Sequence, residues 1–219
     1  MKPTPATTPP LTFYTADTPN GLKVSLYLHE ANLAHTQINV DLSAGEQKQP
    51  AFLERNPNGK IPVVVDHERD LTIFESGAIL TYLAMRTGVL QPMSQTQAIA
   101  VNQWLHFQIG GIGPMLGQLW WFLHGSKTAN TEAIARYRKE SLRLIDVVDT
   151  RLARSAYLAT DDYSIADIAA FAWLRTHDEL NLDLTPFPHV RRWLAQIDAR
   201  PAVQAAIVAN RGEMVQPEA

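Results

Sequence analysis

The 219-residue chain has a formal net charge of −3, contains 46% hydrophobic and 19% charged residues, and has no cysteine. This composition is that of an ordinary globular protein, and its charge argues against nucleic acid as a partner, because nucleic-acid-binding proteins are usually strongly basic. Without cysteine, the protein can form no disulfide, no thiolate metal site and no cysteine nucleophile of its own.

The first ten residues, MKPTPATTPP, alternate proline with small residues. They contain no apolar core and therefore predict neither a signal peptide nor an anchor, so we expect a disordered arm over 1–10. The longest apolar run, IAAFAWL after Asp167, is too short to cross a bilayer. These features favour a cytoplasmic protein that does not associate with membranes.

Residues 11–90 are predicted to form an α/β domain. Apolar and β-branched runs predict strands over 11–15, 37–42, 61–66 and 71–74, and helical spacing predicts helices over 22–33, 51–55 and 75–88. The resulting order, β-α-β-α-β-β-α, predicts a small sandwich with a mixed sheet.

Residues 94–210 are predicted to form an all-helical domain, with helices over 96–124, 131–152, 164–174 and 187–200. The glycine-rich run from Gly110 to Gly117 indicates a kink or a close helix contact rather than a phosphate loop. The aromatic run Trp120-Trp121-Phe122 is expected in the core or in a pocket wall. Ser164 and Asp167 have the spacing of a helix-capping box.

The stretch Thr18-Pro19-Asn20-Gly21 follows the first strand and has two interpretations. In the first, Thr18 is an N-cap with Pro19 at the first helical position, and nothing more. In the second, the N–H groups at this helix start, together with the Thr18 hydroxyl and the Asn20 amide, stabilise an anion such as a thiolate. Since the protein has no cysteine, that thiol would have to belong to a bound substrate.

Two further segments have both a structural and a ligand-binding interpretation. Pro62 is either a strand-entry proline or a cis proline that turns the backbone of Ile61 outward, where it could pair with an extended peptide. Glu75 and Ser76 open a helix, where they either cap it or hold the ammonium and carboxylate of a free amino-acid head group. The seven histidines show no metal-binding spacing, so no metal site is expected.

Taken in order, these motifs resemble glutathione transferases over about residues 11–200. The resemblance rests on the TPNG helix start, NPNGKIPVVVD, FESGAILTYLA and YSIADIA. More narrowly, TPNGLKVSLYLHEA and QWLHFQIGGIGPMLGQ resemble the bacterial Nu class. This resemblance implies a thioredoxin-like N-terminal domain that binds glutathione, a helical C-terminal domain and a homodimer.

The resemblance also assigns roles to individual residues. It implies that Thr18 and Asn20 face the glutathione sulfur and that Ile61 pairs its backbone with the cysteinyl unit across a cis Pro62. The other glutathione contacts that it implies are Gln47 and Lys60 near the glycyl end, Glu75 and Ser76 at the γ-glutamyl group, and Arg136 in the helical domain.

The implied reaction is reduction of a small disulfide by glutathione as co-substrate, with reduction of organic hydroperoxides as a further activity. Two alternatives stay open at this point: conjugation of glutathione to electrophiles, and a non-catalytic binding protein on the same fold. Trp120, Trp121, Phe122 and His124 are candidate walls of a pocket for the second substrate.

Overall fold

The computed structural model describes residues 9–212. The first part of this range contains one sheet and three α-helices: β1 (Leu11–Thr15), α1 (Pro19–Glu30), β2 (His35–Asn39), α2 (Pro50–Leu53), β3 (Val63–Asp66), β4 (Leu71–Phe74) and α3 (Ser76–Thr87). The strand order is β2-β1-β3-β4, in which β1 and β2 are parallel and the other pairs are antiparallel. The predicted mixed sheet is confirmed.

Several boundaries in this region differ from the prediction, and three of these differences have a clear local cause. β2 begins and ends earlier than 37–42, because it pairs residue for residue with the five residues of β1. β3 begins at Val63 rather than at residue 61, since Pro62 has no N–H to donate to a ladder. α1 begins at Pro19 rather than at residue 22, because Thr18 caps it. The predicted arm lies outside the described residues except at its end, where the Pro10 carbonyl accepts a hydrogen bond from the His67 N–H.

The second part of the range is helical, as predicted, and contains α4 (Gln95–Phe107), α5 (Gly113–Trp120), α6 (Thr131–Leu152), α7 (Ile165–Leu174), α8 (Pro188–Asp198) and α9 (Pro201–Asn210). The predicted helix over 96–124 is divided by a π-helical turn at Gln108–Ile112 and followed by another at Trp121–Gly125. Of the two features predicted for the glycine-rich run, a kink or a close helix contact, the contact is confirmed, because a Cβ at Gly117 would lie 3.1 Å from the Trp173 ring of α7. None of the helices in residues 9–212 is both long and apolar enough to cross a membrane.

The expectation that the aromatic run lies in the core is wrong for two of its members. Trp120 and Trp121 are 42% and 48% exposed. Trp120 is held at the surface, where its indole N–H donates to the exposed Glu179 at 2.5 Å. Phe122 is half-buried and stacks on Tyr137. The run is therefore a surface cluster with one inner member.

The two parts share one hydrophobic core, and α1 lies at its centre. All eight residues from 21 to 28 are buried, because α3 packs against α1 from the first part while α7 and α9 pack against it from the second. The core includes Phe13 and Val24 from the first part as well as Phe171 and Ile207 from the second. The position of α1 is therefore fixed from several sides.

The capping residue of α7, Asp167, is completely buried and joins three segments. Its carboxylate accepts hydrogen bonds from the backbone N–H of Leu158 at 2.9 Å and of Ser164 at 3.1 Å, and from the Trp193 indole N–H at 3.0 Å. Burial raises the pKa of Asp167 to about 6, while these donors favour its ionised form. The predicted capping role of Asp167 is confirmed, and its bonds to Leu158 and Trp193 add a tertiary role.

Replacing Asp167 should therefore destabilise the protein strongly. We expect Asp167→Ala to lower the free energy of unfolding by about 3–5 kcal/mol, because four buried donors, the Ser164 hydroxyl among them, lose their acceptor at once. Denaturant unfolding at a fixed protein concentration measures the change. Asp178→Ala is the matched control, since the Asp178 side chain is 94% exposed and should change the value by less than about 0.5 kcal/mol. Equal losses in the two variants would contradict the assignment.

Candidate functional site

A cavity of about 390 Å³ lies where the start of α1, the turn before β3 and the start of α3 face the helical part. Its size is within the range of small-molecule sites, about 300–1,000 Å³. Six of the nine residues that the sequence singled out line it: Asn20, Lys60, Ile61, Pro62, Glu75 and Ser76. Residues separated by more than fifty positions are thus brought to one place by the fold.

At the entrance to α1, Thr18 is the N-cap. Its Oγ1 accepts a hydrogen bond from the Gly21 N–H at 3.1 Å, and Pro19 occupies the first helical position. The capping interpretation is confirmed, and it uses only an acceptor site of the hydroxyl. The O–H proton of the half-buried Thr18 remains available as a donor.

Asn20 is oriented by a residue from the helical part. The indole N–H of Trp173 donates to Asn20 Oδ1 at 3.1 Å. Because the amide oxygen is engaged there, the Asn20 NH₂ group is left as the donor at the start of α1. Trp173 therefore determines which end of the Asn20 amide acts as a donor in the cavity.

The turn before β3 presents its backbone to the same cavity. The Ile61–Pro62 peptide bond is cis, as the second interpretation of this proline predicted. Buried Asn56 holds the turn, since its NH₂ donates to the Lys60 carbonyl at 2.6 Å and its Oδ1 accepts from the Asn58 N–H at 3.0 Å. Within residues 9–212, no hydrogen bond joins the Ile61 backbone to another residue. Its N–H and C=O are available to an extended ligand.

Glu75 and Ser76 form a third wall at the start of α3. Glu75 has φ 70° and ψ 116°, a conformation that a non-glycine residue adopts only at a cost of about 1–3 kcal/mol. The exposed Glu75 side chain and the buried Ser76 hydroxyl both line the cavity. Strained backbone of this kind is characteristic of functional sites, where the surrounding structure enforces it.

Lys23, one turn into α1, is an ionisable residue in the cavity that the sequence did not single out. It is only 2% exposed, and its Nζ donates to Ser76 Oγ at 3.3 Å. Burial lowers the pKa of Lys23 to about 7, while the negative charge of Glu75 acts in the opposite direction. A lysine with such a pKa changes its charge near neutral pH.

The fourth wall belongs to the helical part and is formed by the π-helical turn and α5. Gly113 and Gly117 leave room for Trp173, whose indole atoms would lie 3.3 and 3.1 Å from a Cβ added at these positions. Gln108, on the π turn, is completely buried, and neither atom of its carboxamide has a partner among the described residues. Local π geometry of this type is frequent at functional sites.

Similarity to known proteins extends over most of the chain. Residues 9–85 match the glutathione S-transferase N-terminal domain, and residues 112–201 match the glutathione S-transferase C-terminal domain. The chain belongs to the glutathione S-transferase family. Its sheet with flanking helices is the thioredoxin-like half of that fold, and the expected fold class is confirmed.

Three relatives within the family have a known activity in their name or glutathione in their structure. The disulfide-bond oxidoreductase YfcG of Escherichia coli is 44% identical over 206 residues, which cover 91% of this chain and 96% of YfcG. A Burkholderia graminis glutathione transferase, solved with two glutathione molecules bound per subunit, has a TM-score of 0.88 at 40% identity and covers 94% of this chain and 90% of its own. A Pseudomonas putida glutathione transferase, solved with one glutathione disulfide bound per subunit, has a TM-score of 0.85 at 39% identity, with 93% of each chain covered.

Three of the nine predicted site residues do not line the cavity of this family member: Thr18, which lies at the N-cap of α1 just before Asn20, and the two glutathione contacts Gln47 and Arg136. Gln47 lies beside the cavity, in the turn that packs its backbone against Gly59. Arg136 is exposed on α6 and is absent from the cavity walls. Both glutathione contacts therefore remain predictions based on resemblance. Trp120, Trp121, Phe122 and His124 do not line the cavity either.

Lys23, Gln108 and Trp173 are three of the cavity residues that sequence reasoning did not assign to the site. The partner of Lys23 lies 53 positions away, and that of Trp173 lies 153 positions away. Trp173 gave no local signal. Gln108 lies in the run QWLHFQIGGIGPMLGQ, which carried the resemblance but gave no role to this residue. Lys23 offered a weak signal, as a charged residue on the apolar face of a predicted helix.

A second depression, of about 720 Å³, lies in the helical part between residues 177 and 195. It contains none of the predicted site residues, so we assign the functional site to the smaller cavity. Across residues 9–212, no group of three or more His, Asp or Glu side chains lies close enough to hold a metal ion.

The close packing around Gly21 makes it a sensitive probe of this site. A Cβ at this position would lie 2.5 Å from the Ala16 carbonyl oxygen and would also overlap Thr15 Oγ1. Because a backbone carbonyl cannot rotate away as a side chain can, we expect Gly21→Ala to lower the free energy of unfolding by about 1–3 kcal/mol and to weaken glutathione binding.

Denaturant unfolding and calorimetric titration of glutathione measure the two effects. Gly110→Ala is the control, because a Cβ there meets no atom within 4 Å. The control should be neutral or stabilised by up to about 1 kcal/mol, as is usual for glycine in a helix. Normal stability and normal binding in Gly21→Ala would show that the turn tolerates displacement.

Proposed function

We propose that this protein is a glutathione-dependent disulfide reductase that holds a glutathione thiolate at the start of α1. The observation that carries the proposal is a pair of donors, the Thr18 O–H and the Asn20 NH₂, at a helix N-terminus in a chain without cysteine. Donors at such a position favour an anion. In this protein they have no thiolate of their own to stabilise.

The electrostatics of the turn support ionisation of a bound thiol. A free thiol has a pKa of about 8.5, and a helix N-terminus with hydrogen-bond donors lowers it toward neutrality. The Thr18 hydroxyl accepts from Gly21 and can donate to sulfur at the same time. Ionisation matters because the thiolate, rather than the thiol, attacks a disulfide.

The reaction consists of two thiol–disulfide exchanges. The bound glutathione thiolate attacks one sulfur of the substrate disulfide, forms a mixed disulfide and releases the other sulfur as a thiolate. A second glutathione thiolate attacks the glutathione sulfur of that mixed disulfide, which gives glutathione disulfide and releases the second substrate thiolate. Both released thiolates take up protons from solvent. No disulfide with the protein can form at any stage.

The remaining walls of the cavity suit the peptide part of glutathione. We assign the cysteinyl unit to the unpaired backbone of Ile61, the γ-glutamyl ammonium to Glu75 and its carboxylate to Ser76. Lys60 and the neighbouring Gln47 suit the glycyl end, and Arg136 stays a further contact suggested by resemblance.

The names and bound ligands of the relatives support the same reaction. The YfcG protein is named a disulfide-bond oxidoreductase, and the Burkholderia and Pseudomonas structures hold two glutathione molecules or one glutathione disulfide per subunit. In the proposed reaction, the two glutathione molecules are the reduced co-substrates and glutathione disulfide is the oxidised product. Reduction of organic hydroperoxides by the same thiolate is a second reaction that we propose.

We also propose that the protein acts as a homodimer in the cytoplasm. β4 is an edge strand, and its Leu71 and Phe74 are exposed, as is Met85 on the following helix. Exposed apolar groups beside a sheet edge favour association with another chain. Light scattering of the protein in solution should therefore give twice the mass of one chain.

The proposed compartment follows from the co-substrate, because the cytoplasm is the compartment in which glutathione keeps thiols reduced.

Turnover of a small dialkyl disulfide with glutathione, coupled to glutathione reductase, tests the proposed function directly. We expect fast disulfide reduction and slow conjugation of glutathione to an aromatic halide measured alongside. The reverse pattern would identify a conjugating transferase. Glutathione binding without either activity would identify a binding protein on the transferase fold.

Substitutions at Thr18 separate its capping role from thiolate stabilisation. Thr18→Ala should lower kcat/KM for the disulfide about 10- to 150-fold, which corresponds to about 1.5–3 kcal/mol for a lost hydrogen bond to an anion. Thr18→Ser should retain most activity. Thr18→Asp should keep the helix cap and the stability but lose activity, because its carboxylate repels a thiolate. Full activity in Thr18→Asp would refute the thiolate-stabilising role.

A further inference from the structure

The buried lysine in the cavity has no role in the function proposed so far. A lysine that is almost fully buried is uncommon unless it is paired with an opposite charge. The Lys23 Nζ contacts the Ser76 hydroxyl at 3.3 Å, and this neutral group cannot balance an ammonium charge. The position therefore suits an anion that arrives with a ligand.

We propose that Lys23 binds the α-carboxylate of the γ-glutamyl head group beside Ser76, and that it takes up a proton when glutathione binds. This inference rests on the proposed glutathione site and names the group that recognises one end of the ligand. Lys23 acts in binding and does not touch the reacting sulfur.

Charge complementarity supports this assignment. The titratable residues that line the cavity are Lys23, Lys60 and Glu75. With Lys23 protonated, they provide two positive charges and one negative charge. Glutathione with a neutral thiol carries two carboxylates and one ammonium, which is the opposite set. The match is complete only when Lys23 is charged.

The surroundings of Lys23 explain why its charge depends on the ligand. Glu75, before α3, is the acidic group whose charge acts on it, and Lys60 lies in the turn before β3. The residues that α7 and the segment 108–118 contribute to the cavity walls are uncharged. With its pKa lowered to about 7, Lys23 is about half neutral at neutral pH before binding. A carboxylate in hydrogen-bond contact would favour the ammonium form.

The spacing between Asn20 and Lys23 along α1 also suits a ligand that reaches both residues. Lys23 and Asn20 lie on the same helix, on which three residues rise about 4.5 Å. Lys23 therefore stands deeper than the proposed sulfur site and on the side of Ser76. A head group joined to the cysteinyl unit by one amide bond could reach it while the sulfur remains at the helix start.

Calorimetric titration with S-methylglutathione tests the proposal, because this probe has no thiol proton to release. Repeating the titration in buffers of different ionisation enthalpy gives the number of protons taken up. We expect uptake of about half a proton at pH 7 and nearly one at pH 8, and affinity that falls up to about tenfold per unit above pH 7.

Three variants identify the residue that takes up the proton. Lys23→Met should bind more weakly and without proton uptake, and Lys23→Arg, permanently charged, should bind without uptake and without the loss of affinity above pH 7. Lys60→Met removes another cationic group from the cavity, so it should weaken binding while the uptake persists. Thermal unfolding of each variant checks that it is folded.

Two outcomes would overturn the proposal while leaving the proposed function intact. One is wild-type binding with no proton uptake between pH 7 and 8, a measurement that needs no variant. The other is unchanged uptake in a folded Lys23→Met. Failure of the proposed function would look different, since the disulfide assay would show no turnover or the wild-type protein would not bind the probe.

Discussion

The packing of α1 between the two parts of the chain is the constraint on which the site depends. Residues 21 to 28 are buried without interruption, and Gly21 touches the backbone of Ala16 so closely that no side chain fits there. Close packing of this kind opposes sliding or rotation of the helix. Its N-terminal donors are therefore preorganised, and preorganised donors stabilise an anion without the cost of reorganising solvent or protein at the moment of reaction.

Each part of the chain supplies what the other lacks. The thioredoxin-like part provides the helix start, the cis-proline turn and the Glu75–Ser76 pair, whereas the helical part provides Trp173, which orients the Asn20 amide. The glycines of α5 give Trp173 the room to reach that amide. Loss of the helical part would thus remove the fourth wall of the cavity and also the contact that orients the Asn20 amide at the start of α1.

Features encoded within a few residues could be predicted from the sequence, whereas features created by packing could not. Thr18 and Pro19 predicted a helix start from the sequence alone. The cis bond before Pro62 was one of the two interpretations that the sequence allowed for that proline. The bounds of β2 depend on its pairing with β1, which no local pattern contains. Trp120 and Trp121 were expected in the core or in a pocket wall, yet both are exposed, and the Trp120 indole N–H donates to Glu179 at the surface. The helix α9 was not predicted as a separate element, because it begins at Pro201, directly after the predicted end of α8 at residue 200.

Because the chain has no cysteine, the start of α1 can act only on a thiol that belongs to a ligand. A catalyst with its own thiol can be trapped as a mixed disulfide or oxidised, whereas in the reaction that we propose every reacting sulfur belongs to a ligand. The protein must then identify the correct thiol, since any small thiol could approach Thr18 and Asn20. With the roles proposed for Thr18, Asn20 and Lys23, α1 would make this selection by geometry, because the sulfur donors lie at its start and Lys23 lies one turn later. A simple thiol gains only the sulfur contacts, but a γ-glutamyl thiol of the right length gains the head-group contacts as well, so activation and recognition are set by one helix.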